Sequence, residues 1–335
     1  MKKTLVALAV AAVAATSANA AVVYDNDGSK VEVKGSLRVL LARDGDQRGD
    51  LKNNGSRLKF NAQQDLGNGL SAFGNVEIRF GEHKLLDNED ESTFGNPVTK
   101  RLYAGLKQEG VGALSFGRQL TNGDDVELGE YSYVWGGNNN LTTESRKSIK
   151  FRSADFNGFS FGLDYLFGTA LKDAPQGLEN VYNKARKNGY GAAVFYTTPF
   201  TEGVNMNLAA GYGQDKNNAG DTQINWRAAA EFEFGPAALA ANYGQSKLKG
   251  DNTKTTYLLV GGKYTIADTS TLYGQWMREK TTDESALNSY VAGVDYKLHK
   301  NVVTFVEFAR AQKWNDAESK KDYENKYGAG LRVYF

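Results

Sequence analysis

The sequence is poor in the residues that cross-link a chain, break a strand or span a membrane as a helix. Its 335 residues include no cysteine and four prolines. The absence of cysteine excludes a small secreted module held together by disulfide bonds. After the first 20 residues, no apolar run reaches the roughly 20 residues that a membrane-spanning helix needs, and the mean hydropathy is −0.51. Any crossing of a membrane would therefore use another kind of element.

Neither sign of charge is in clear excess. The formal net charge is +1, and it becomes −1 when Lys2 and Lys3 are left out. Proteins that bind nucleic acid generally present a marked excess of basic residues. We therefore expect no nucleic-acid partner.

The first 20 residues have the pattern of a secretory signal peptide. Two lysines precede the apolar run 5–15, and Ala18-Asn19-Ala20 has the small-x-small pattern of a signal-peptidase site. A transmembrane helix is the alternative, but the apolar run is too short to span a bilayer. We expect cleavage after Ala20, which leaves residues 21–335 as the mature domain.

From residue 31 to the end, short segments with an apolar residue at every second position alternate with polar or glycine-rich turns. From Phe159 to Phe167 the apolar positions are separated by Ser160, Gly162 and Asp164. This period of two is typical of a strand with one apolar and one polar face. Many segments reach about ten residues, enough for a strand to cross a bilayer. Because lipid offers no partner to backbone amides, the pattern predicts an all-β fold, a transmembrane antiparallel up-and-down β-barrel.

About sixteen strands are predicted, and their connections alternate between short turns and longer loops. A barrel of this size leaves an aqueous channel, with short turns at the periplasmic end and long loops outside. The longest loop, the third outer loop at 120–145, is expected to fold inward. The predicted strands cover 30–43, 55–65, 69–82, 99–108, 112–119, 146–155, 159–169, 188–198, 203–215, 224–234, 238–248, 254–266, 270–281, 287–298, 302–313 and 325–335.

The sequence offers little for catalysis. The two histidines, His83 and His299, fall in a predicted outer loop and in a short turn at the opposite end, so a Ser/His/Asp site would have to span the membrane. No Cys/His spacing suits a metal. We expect no enzyme activity, no cofactor and no metal site.

Several segments, spread in order over the mature chain, resemble a known family. The chain is similar to the trimeric general-diffusion porins of Gram-negative outer membranes, of the OmpF/OmpC type, and more closely to the OmpH-type major porins. The segments that show the resemblance are 23–35, the block 101–107 followed by 114–118, the hairpin 149–162 and the aromatic end 330–335.

The resemblance implies a homotrimer of sixteen-stranded barrels in the outer membrane, each constricted by its third outer loop. In such porins, acidic residues on that loop face a ladder of basic residues on the opposite wall. By position, Arg57 and Lys100 match constriction bases, Glu77 matches a glutamate in the lumen and Glu130 matches an acidic loop residue. The implied partners are membrane lipid, lipopolysaccharide, small hydrophilic solutes and the outer-membrane assembly machinery, which reads a terminal aromatic residue such as Phe335.

Alternation supports most of this wall independently, because a basic residue facing lipid at mid-bilayer costs roughly 2–4 kcal/mol. Lys100 and Arg101 are adjacent, so strict alternation allows only one of them to face the lumen. The alternative is that the bases merely solvate a wet wall. The candidate basic wall is Lys34, Arg38, Arg57, Lys59, Arg79, Lys100, Arg146 and Lys150, with Glu77 beside it.

The loop at 120–145 contributes the acidic side. Its candidate residues are Asp124, Asp125, Glu127 and Glu130. Charges on a loop are usually only solvated, but these lie opposite the basic wall by chain order. We therefore expect a transverse field that sorts solutes by charge and dipole orientation.

Passive diffusion of small hydrophilic solutes and ions through the barrel is the leading functional hypothesis. A substrate-selective porin is one alternative; it would need aromatic tracks in the lumen, and Tyr257, Tyr273 and Phe305 have the right parity but are scattered in sequence. A surface receptor or adhesin that uses the barrel as an anchor is the other alternative. Modest polar loops weaken that hypothesis.

Overall fold

The computed structural model of the protein describes residues 21–81, 94–315 and 320–335. The predicted signal peptide at 1–20 and His83 lie outside the described residues. Everything below concerns the described part of the chain.

Long strands dominate the described chain, and all are paired antiparallel with their neighbours. The strands are β1 (Ala21–Asn26), β2 (Ser29–Asp44), β3 (Asp50–Asn53), β4 (Arg57–Gly67), β5 (Leu70–Phe80), β6 (Pro97–Gln108), β7 (Gly112–Leu120), β8 (Glu144–Ser153), β9 (Phe159–Phe167), β10 (Arg186–Thr201), β11 (Val204–Asn217), β12 (Thr222–Phe234), β13 (Ala237–Leu248), β14 (Lys254–Ile266), β15 (Ser270–Thr281), β16 (Leu287–His299), β17 (Val302–Asn315) and β18 (Lys320–Tyr334).

These segments form a closed barrel of sixteen strand positions. β18 pairs with the second half of β2, and β1 pairs with its first half, so β1 and β18 lie end to end along one edge. Along the other edge of β2, β3 pairs with its second half and β4 with its first half, so β3 and β4 also lie end to end. β9 pairs with β10, which leaves no free edge in the ring. The predicted closed antiparallel barrel of about sixteen strands is confirmed.

The sequence predicted neither of the two short segments. β1 and β3 span six and four residues, too few to show a clear period of two. A short α-helix, α1 (Glu179–Lys184), and a 3-10 helix at Asn122–Val126 also lie in predicted loops. In the ranges 21–81, 94–315 and 320–335, no helix combines the length and the apolar character needed to span a membrane.

The connections alternate as predicted. One end of the barrel carries turns of a few residues, such as those between β4 and β5 and between β14 and β15, and the other end carries the longer loops. In the second of these turns, the three-residue connection 267–269, Ala267 (φ 48°) and Asp268 (φ 60°) both adopt left-handed backbone, and the Thr269 amide donates to the carbonyl oxygen of Ile266 at 3.2 Å.

The outer surface of the barrel is apolar and bordered by aromatic residues. Leu163 and Leu239 are 52% and 60% exposed. On β10, Tyr190 and Tyr196 face outward six residues apart, about 20 Å along the strand. An apolar band about 25 Å tall between aromatic girdles is typical of outer-membrane barrels.

The buried apolar clusters lie between the barrel wall and the loop at 121–143. In one cluster, Val126 and Leu141 of the loop pack on Ala193, Ala209 and Ala229 of β10, β11 and β12. These alanines belong to the polar-facing parity of their strands, the side that the sequence assigns to the lumen. The small side chains leave space for the loop, which is thereby held inside the barrel.

Candidate functional site

The loop at 121–143 enters the lumen beside β9 and follows the inner wall as far as β18. At its start, the buried Asn122 donates its backbone amide and its side-chain amide to Asp164 on β9, at 2.9 and 3.1 Å. At its far point, Tyr133 receives a hydrogen bond from Arg332 of β18 at 2.7 Å. The loop therefore covers roughly half of the barrel's circumference.

A buried ion pair anchors the middle of the loop. Arg227 of β12, whose side chain is fully buried, contacts Glu127 at 2.7 Å and also donates to two oxygens of Asn138, at 3.1 and 3.0 Å. Asn242 of β13 holds both the amide and the carbonyl of Leu128. Burial raises the pKa of Glu127, and Arg227 acts in the opposite direction. Glu127 therefore holds the loop to the covered wall and does not present an unpaired charge to the lumen.

The tip of the loop is held by one carboxylate. Glu307 of β17 accepts hydrogen bonds from three successive backbone amides, those of Tyr133, Val134 and Trp135, at 2.7–3.1 Å. It also accepts one from the hydroxyl of Tyr273 at 2.9 Å. Because hydrogen bonds to charged groups are stronger than neutral ones, Glu307 fixes both the position and the local fold of the tip.

Aromatic stacking completes this attachment. Tyr133 stacks on Phe305 with ring centroids 4.4 Å apart, and the guanidinium of Arg332 lies 4.4 Å from the Tyr133 centroid. Tyr273 and Phe305 are scattered in sequence, but the barrel register brings both to the loop tip. They pack under Tyr133 instead of lining the channel.

The wall that the loop leaves open carries a row of arginines. Arg332 is paired in register with Arg38 on β2, and Arg57 on β4 is paired in register with Arg79 on β5. Arg57 is also the register partner of Ser36, two residues from Arg38. The four guanidinium groups therefore lie on neighbouring strands and on the same face, and the charges of Arg57, Arg79 and Arg332 act on Arg38.

Glu77 of β5 is the main counter-charge of this row. Its carboxylate lies 2.8 Å from Arg79 and 3.6 Å from Arg57. The predicted wall residue Lys59 is its register partner, and Lys34 is the register partner of Lys59. Like charges paired on adjacent strands are destabilising. The Lys34–Lys59 pair therefore does not stabilise the barrel.

The expectation that only one of Lys100 and Arg101 faces the lumen is wrong. A β-bulge lies at Lys100, since Glu77 pairs with Arg101 and the next residue, Ile78, pairs with Thr99. The extra residue breaks the alternation, and both side chains reach Glu144 of β8, at 3.5 Å from Lys100 and 2.8 Å from Arg101.

A second bulge alters the placement of Arg146. Ser148 pairs with Gly117 but Ser145 pairs with Gln119, so two residues separate the inward serines, which are both buried. Arg146 is exposed between them and has no hydrogen bond or ion pair with any other described residue. The inference of inward orientation from unbroken alternation is therefore wrong for Arg146.

Below the bulge the predicted parity holds. Lys150 lies on the inner face and donates to the carbonyl oxygen of Leu120 at 3.2 Å. Arg152, two residues further along β8, contacts Asp125 of the loop at 3.1 Å and lies over the ring of Phe195. One end of the open wall is thus joined to the start of the loop.

The remaining loop acids differ from Glu127 in having no buried ion pair. Burial, followed by the neighbouring charge of Asp125, raises the pKa of Asp124 to about 6. Glu130 accepts a hydrogen bond from Ser132 at 2.6 Å, and burial raises its pKa. The loop acids therefore fall into three classes. Glu127 is anchored by a buried ion pair, and Asp125 forms an exposed one. Asp124 and Glu130 have no salt bridge among the described residues.

Phe335 closes the seam between β18 and β2. Its backbone amide donates to Gly35 and its carbonyl oxygen accepts from the same residue, at 3.0 and 2.6 Å. The ring lies where a side chain at Gly35 would be, on the outward face next to Leu37. The residue continues the lipid-facing side of β18, as its parity predicts.

Four residues that shape this site were not predicted from the sequence: Arg332, Arg227, Glu307 and Asn242. Arg332 lies between the outward Leu331 and Val333, so its parity already placed it inward. Arg227, Glu307 and Asn242 also lie at inward-facing positions of their strands. The residues around them in sequence do not indicate that a distant loop supplies their partners.

Comparison with known proteins decides the family. A model of the Gram-negative porins matches residues 7–316. The chain belongs to the Gram-negative porin family. It is thus related to outer-membrane channels rather than to enzymes, and its predicted outer-membrane location is confirmed. A protein named "Major outer membrane protein" from Pasteurella multocida is 42% identical to this porin over the whole of both chains, which agrees with the predicted resemblance.

Solved structures support the fold. This porin superposes on OmpT of Vibrio cholerae with a TM-score of 0.70 at 19% identity, covering 93% of this chain and 99% of that one. An anion-selective porin from Comamonas acidovorans gives 0.70 at 18% identity, covering 92% and 100%. OmpF of Salmonella typhi, solved with daunomycin, gives 0.70 at 20% identity, covering 93% and 99%.

Proposed function

We propose that this porin lets small hydrophilic solutes and ions diffuse passively through its lumen, at a constriction between the arginine row and the inserted loop. The main support is the path of the loop, which is attached from Asp164 on β9 to Arg332 on β18 inside a closed wall. Diffusion down a gradient needs no cofactor or energy source, and we propose no enzyme activity.

The distribution of charge supports the proposed transverse field. On the wall, Glu77 pairs with Arg57 and Arg79, and Arg38 and Arg332 lie beside them on the same face. On the loop, Asp124 and Glu130 supply the opposing negative charge. Screening is weak in a narrow constriction with low-dielectric walls. Because Arg38, Arg57 and Arg332 bring basic charge to one face, we propose a mild preference for anions.

The contacts of the aromatic residues favour general diffusion over substrate selectivity. A selective porin would present rings to the passing solute, but Tyr133 covers Phe305 and Tyr273 donates its hydroxyl to Glu307. Solute flux into liposomes should rise linearly with concentration. A flux that saturates would favour the substrate-selective alternative.

Planar bilayer recordings test the channel and its field together. We expect discrete conductance steps and, in a KCl gradient, a reversal potential that indicates anion preference. Replacing Asp124→Asn and Glu130→Gln should increase that preference, whereas Asp221→Asn in an outer loop should not. The absence of conductance steps would support the receptor or adhesin alternative, and an unchanged reversal potential would remove the transverse field.

The assembly is also a proposal. OmpT of Vibrio cholerae has been solved in a trimer form, and we propose that this porin forms a homotrimer after removal of residues 1–20. Outer-membrane lipid and lipopolysaccharide would cover the remaining apolar surface, and the assembly machinery would recognise Phe335. Chemical cross-linking in detergent tests the homotrimer, and mass spectrometry of the mature N-terminus tests the removal of residues 1–20.

A further inference from the structure

A cavity of about 210 Å³ lies in the lumen wall next to the loop tip, apart from the arginine row. It is close to the long-loop end of β15 to β18, the end predicted to face outside. Its volume corresponds to about seven water molecules. Its lining includes Trp135, Met277, Val291 and Ala311 and the charged residues Glu279 and Lys326.

The floor of this cavity is unusually apolar for the inner wall of a water-filled barrel. Met277, Val291 and Ala309 form one buried cluster with Leu259, and Trp135 of the loop packs against it. Passive diffusion of hydrophilic solutes does not need an apolar surface inside the lumen. Such a surface can instead hold the apolar part of a ligand, as pockets for small molecules generally do.

Glu279 is the one carboxylate among the described lining residues, and Lys326, which also lines the cavity, has its ammonium 3.7 Å from Glu324. Glu279 lies on β15, directly paired in register with Leu287 of β16 on one side and Tyr257 of β14 on the other. Residues paired in this way present their side chains on the same face, close together. Within the described parts of the chain, Glu279 has no salt bridge and no hydrogen-bond donor, so its charge is available to a ligand.

We propose that this cavity binds a small organic cation with an apolar body, such as an aromatic or alkyl primary amine. The ammonium group would contact Glu279, because carboxylates attract cations. The apolar body would lie against Met277, Val291 and Trp135. The site would hold such solutes briefly at the outer entrance, while the arginine row remains free to conduct anions.

The experiment measures block of single-channel current by phenethylammonium added to the long-loop side of a planar bilayer. We expect a saturable reduction of current. Phenylacetate, which has the ring with the opposite charge, and ethylammonium, which has the charge without the ring, should block weakly. Block by all three to the same extent would show obstruction without recognition and would overturn the proposal.

Two variants test the assigned residues. Glu279→Gln should weaken phenethylammonium binding roughly fivefold, as expected for a partly exposed ion pair. Ala311→Leu should weaken it by filling the cavity while keeping the charge. Glu284→Gln is the matched control, since Glu284 is an exposed carboxylate in the neighbouring loop that does not line the cavity.

The outcomes separate this site from the diffusion function. Normal conductance in KCl, with block that is unchanged in both Glu279→Gln and Ala311→Leu, would refute the cation site alone. Absence of conductance in the unmodified porin would refute the diffusion function. The cation site rests on that function here, because block can be measured only where current flows. Equal weakening by Glu284→Gln would show a general effect of entrance charge and would also refute the site.

Discussion

The two halves of the inner wall contain arginines in opposite situations. On the covered half, Arg227 is fully buried and each of its contacts is with the loop or with Asn242. On the open half, Arg38, Arg57 and Arg79 lie beside one another with Glu77 as the main counter-charge. The same residue type therefore attaches the loop on one side and places positive charge along the open lumen on the other.

This difference shows how the barrel separates stability from transport. A buried charge without its partner is strongly unfavourable, so the covered half fixes the loop. A partly solvated arginine beside other arginines gains little from its neighbours, but it creates a field where solutes pass. Stability and selectivity should therefore respond to different substitutions.

Arg227→Ala should have the largest effect, because it leaves the buried Glu127 without its cation. Removing one partner of a buried pair typically costs about 3–5 kcal/mol. We expect the loop to detach from β12, with lower thermal stability and larger, noisier conductance. The double variant Arg227→Met with Glu127→Gln should recover much of the stability, since no uncompensated charge remains. A quiet channel of normal conductance in Arg227→Ala would contradict the anchor.

Neutralising the open wall should change selectivity without loss of stability. Replacing Arg38→Gln together with Arg57→Gln removes mutual repulsion and leaves Glu77 paired with Arg79 at 2.8 Å, so thermal stability should stay equal or rise. The reversal potential in a KCl gradient should shift strongly toward cations. If this wall variant unfolds as readily as Arg227→Ala, the proposed separation of the two halves is wrong.

Acidification should have a moderate effect through Asp124. Burial raises the pKa of Asp124 to about 6, so the carboxylate is charged at pH 7.5 and mostly neutral at pH 5. Losing this negative charge should shift the permeability toward anions over that interval. The pH-dependent shift should be smaller in Asp124→Asn, and an identical titration in both proteins would assign the effect to another group.

The exposed pair Asp125–Arg152 should give the smallest effect. Both side chains are partly solvated, and such pairs typically contribute about 0–1 kcal/mol. Asp125→Asn should therefore change thermal stability far less than Arg227→Ala does. A comparable loss of stability would mean that the beginning of the loop, rather than its middle, fixes it to the wall.

The sequence predicted the barrel well because strand parity is local information. Every predicted strand overlaps one of the long strands, and Arg38, Arg57 and Arg79 lie on the inner wall as their parity indicates. Parity failed at Lys100 and Arg146, where bulges insert an extra residue. No short-range pattern signals a bulge there, because its cause lies in pairing with another strand.

The attachments of the loop were beyond local patterns for a different reason. Glu307 and Tyr133 are 174 residues apart, and only the closed ring brings them together. Glu127 shows the same limit, because no local pattern indicates that Arg227 neutralises its charge. Contacts across the lumen depend on barrel diameter and loop path, which no single segment encodes.

The end-to-end placement of β1 and β18 along β2 bears on how the barrel avoids aggregation while it forms. Asp27 and Gly28 link β1 to β2 in a tight hairpin, which can form before distant strands are in place. It masks the first half of an edge that would otherwise be open to pairing with other chains. The second half of that edge, residues 36–44, stays open until β18 pairs with it, so it is the part exposed for longest to incorrect pairing.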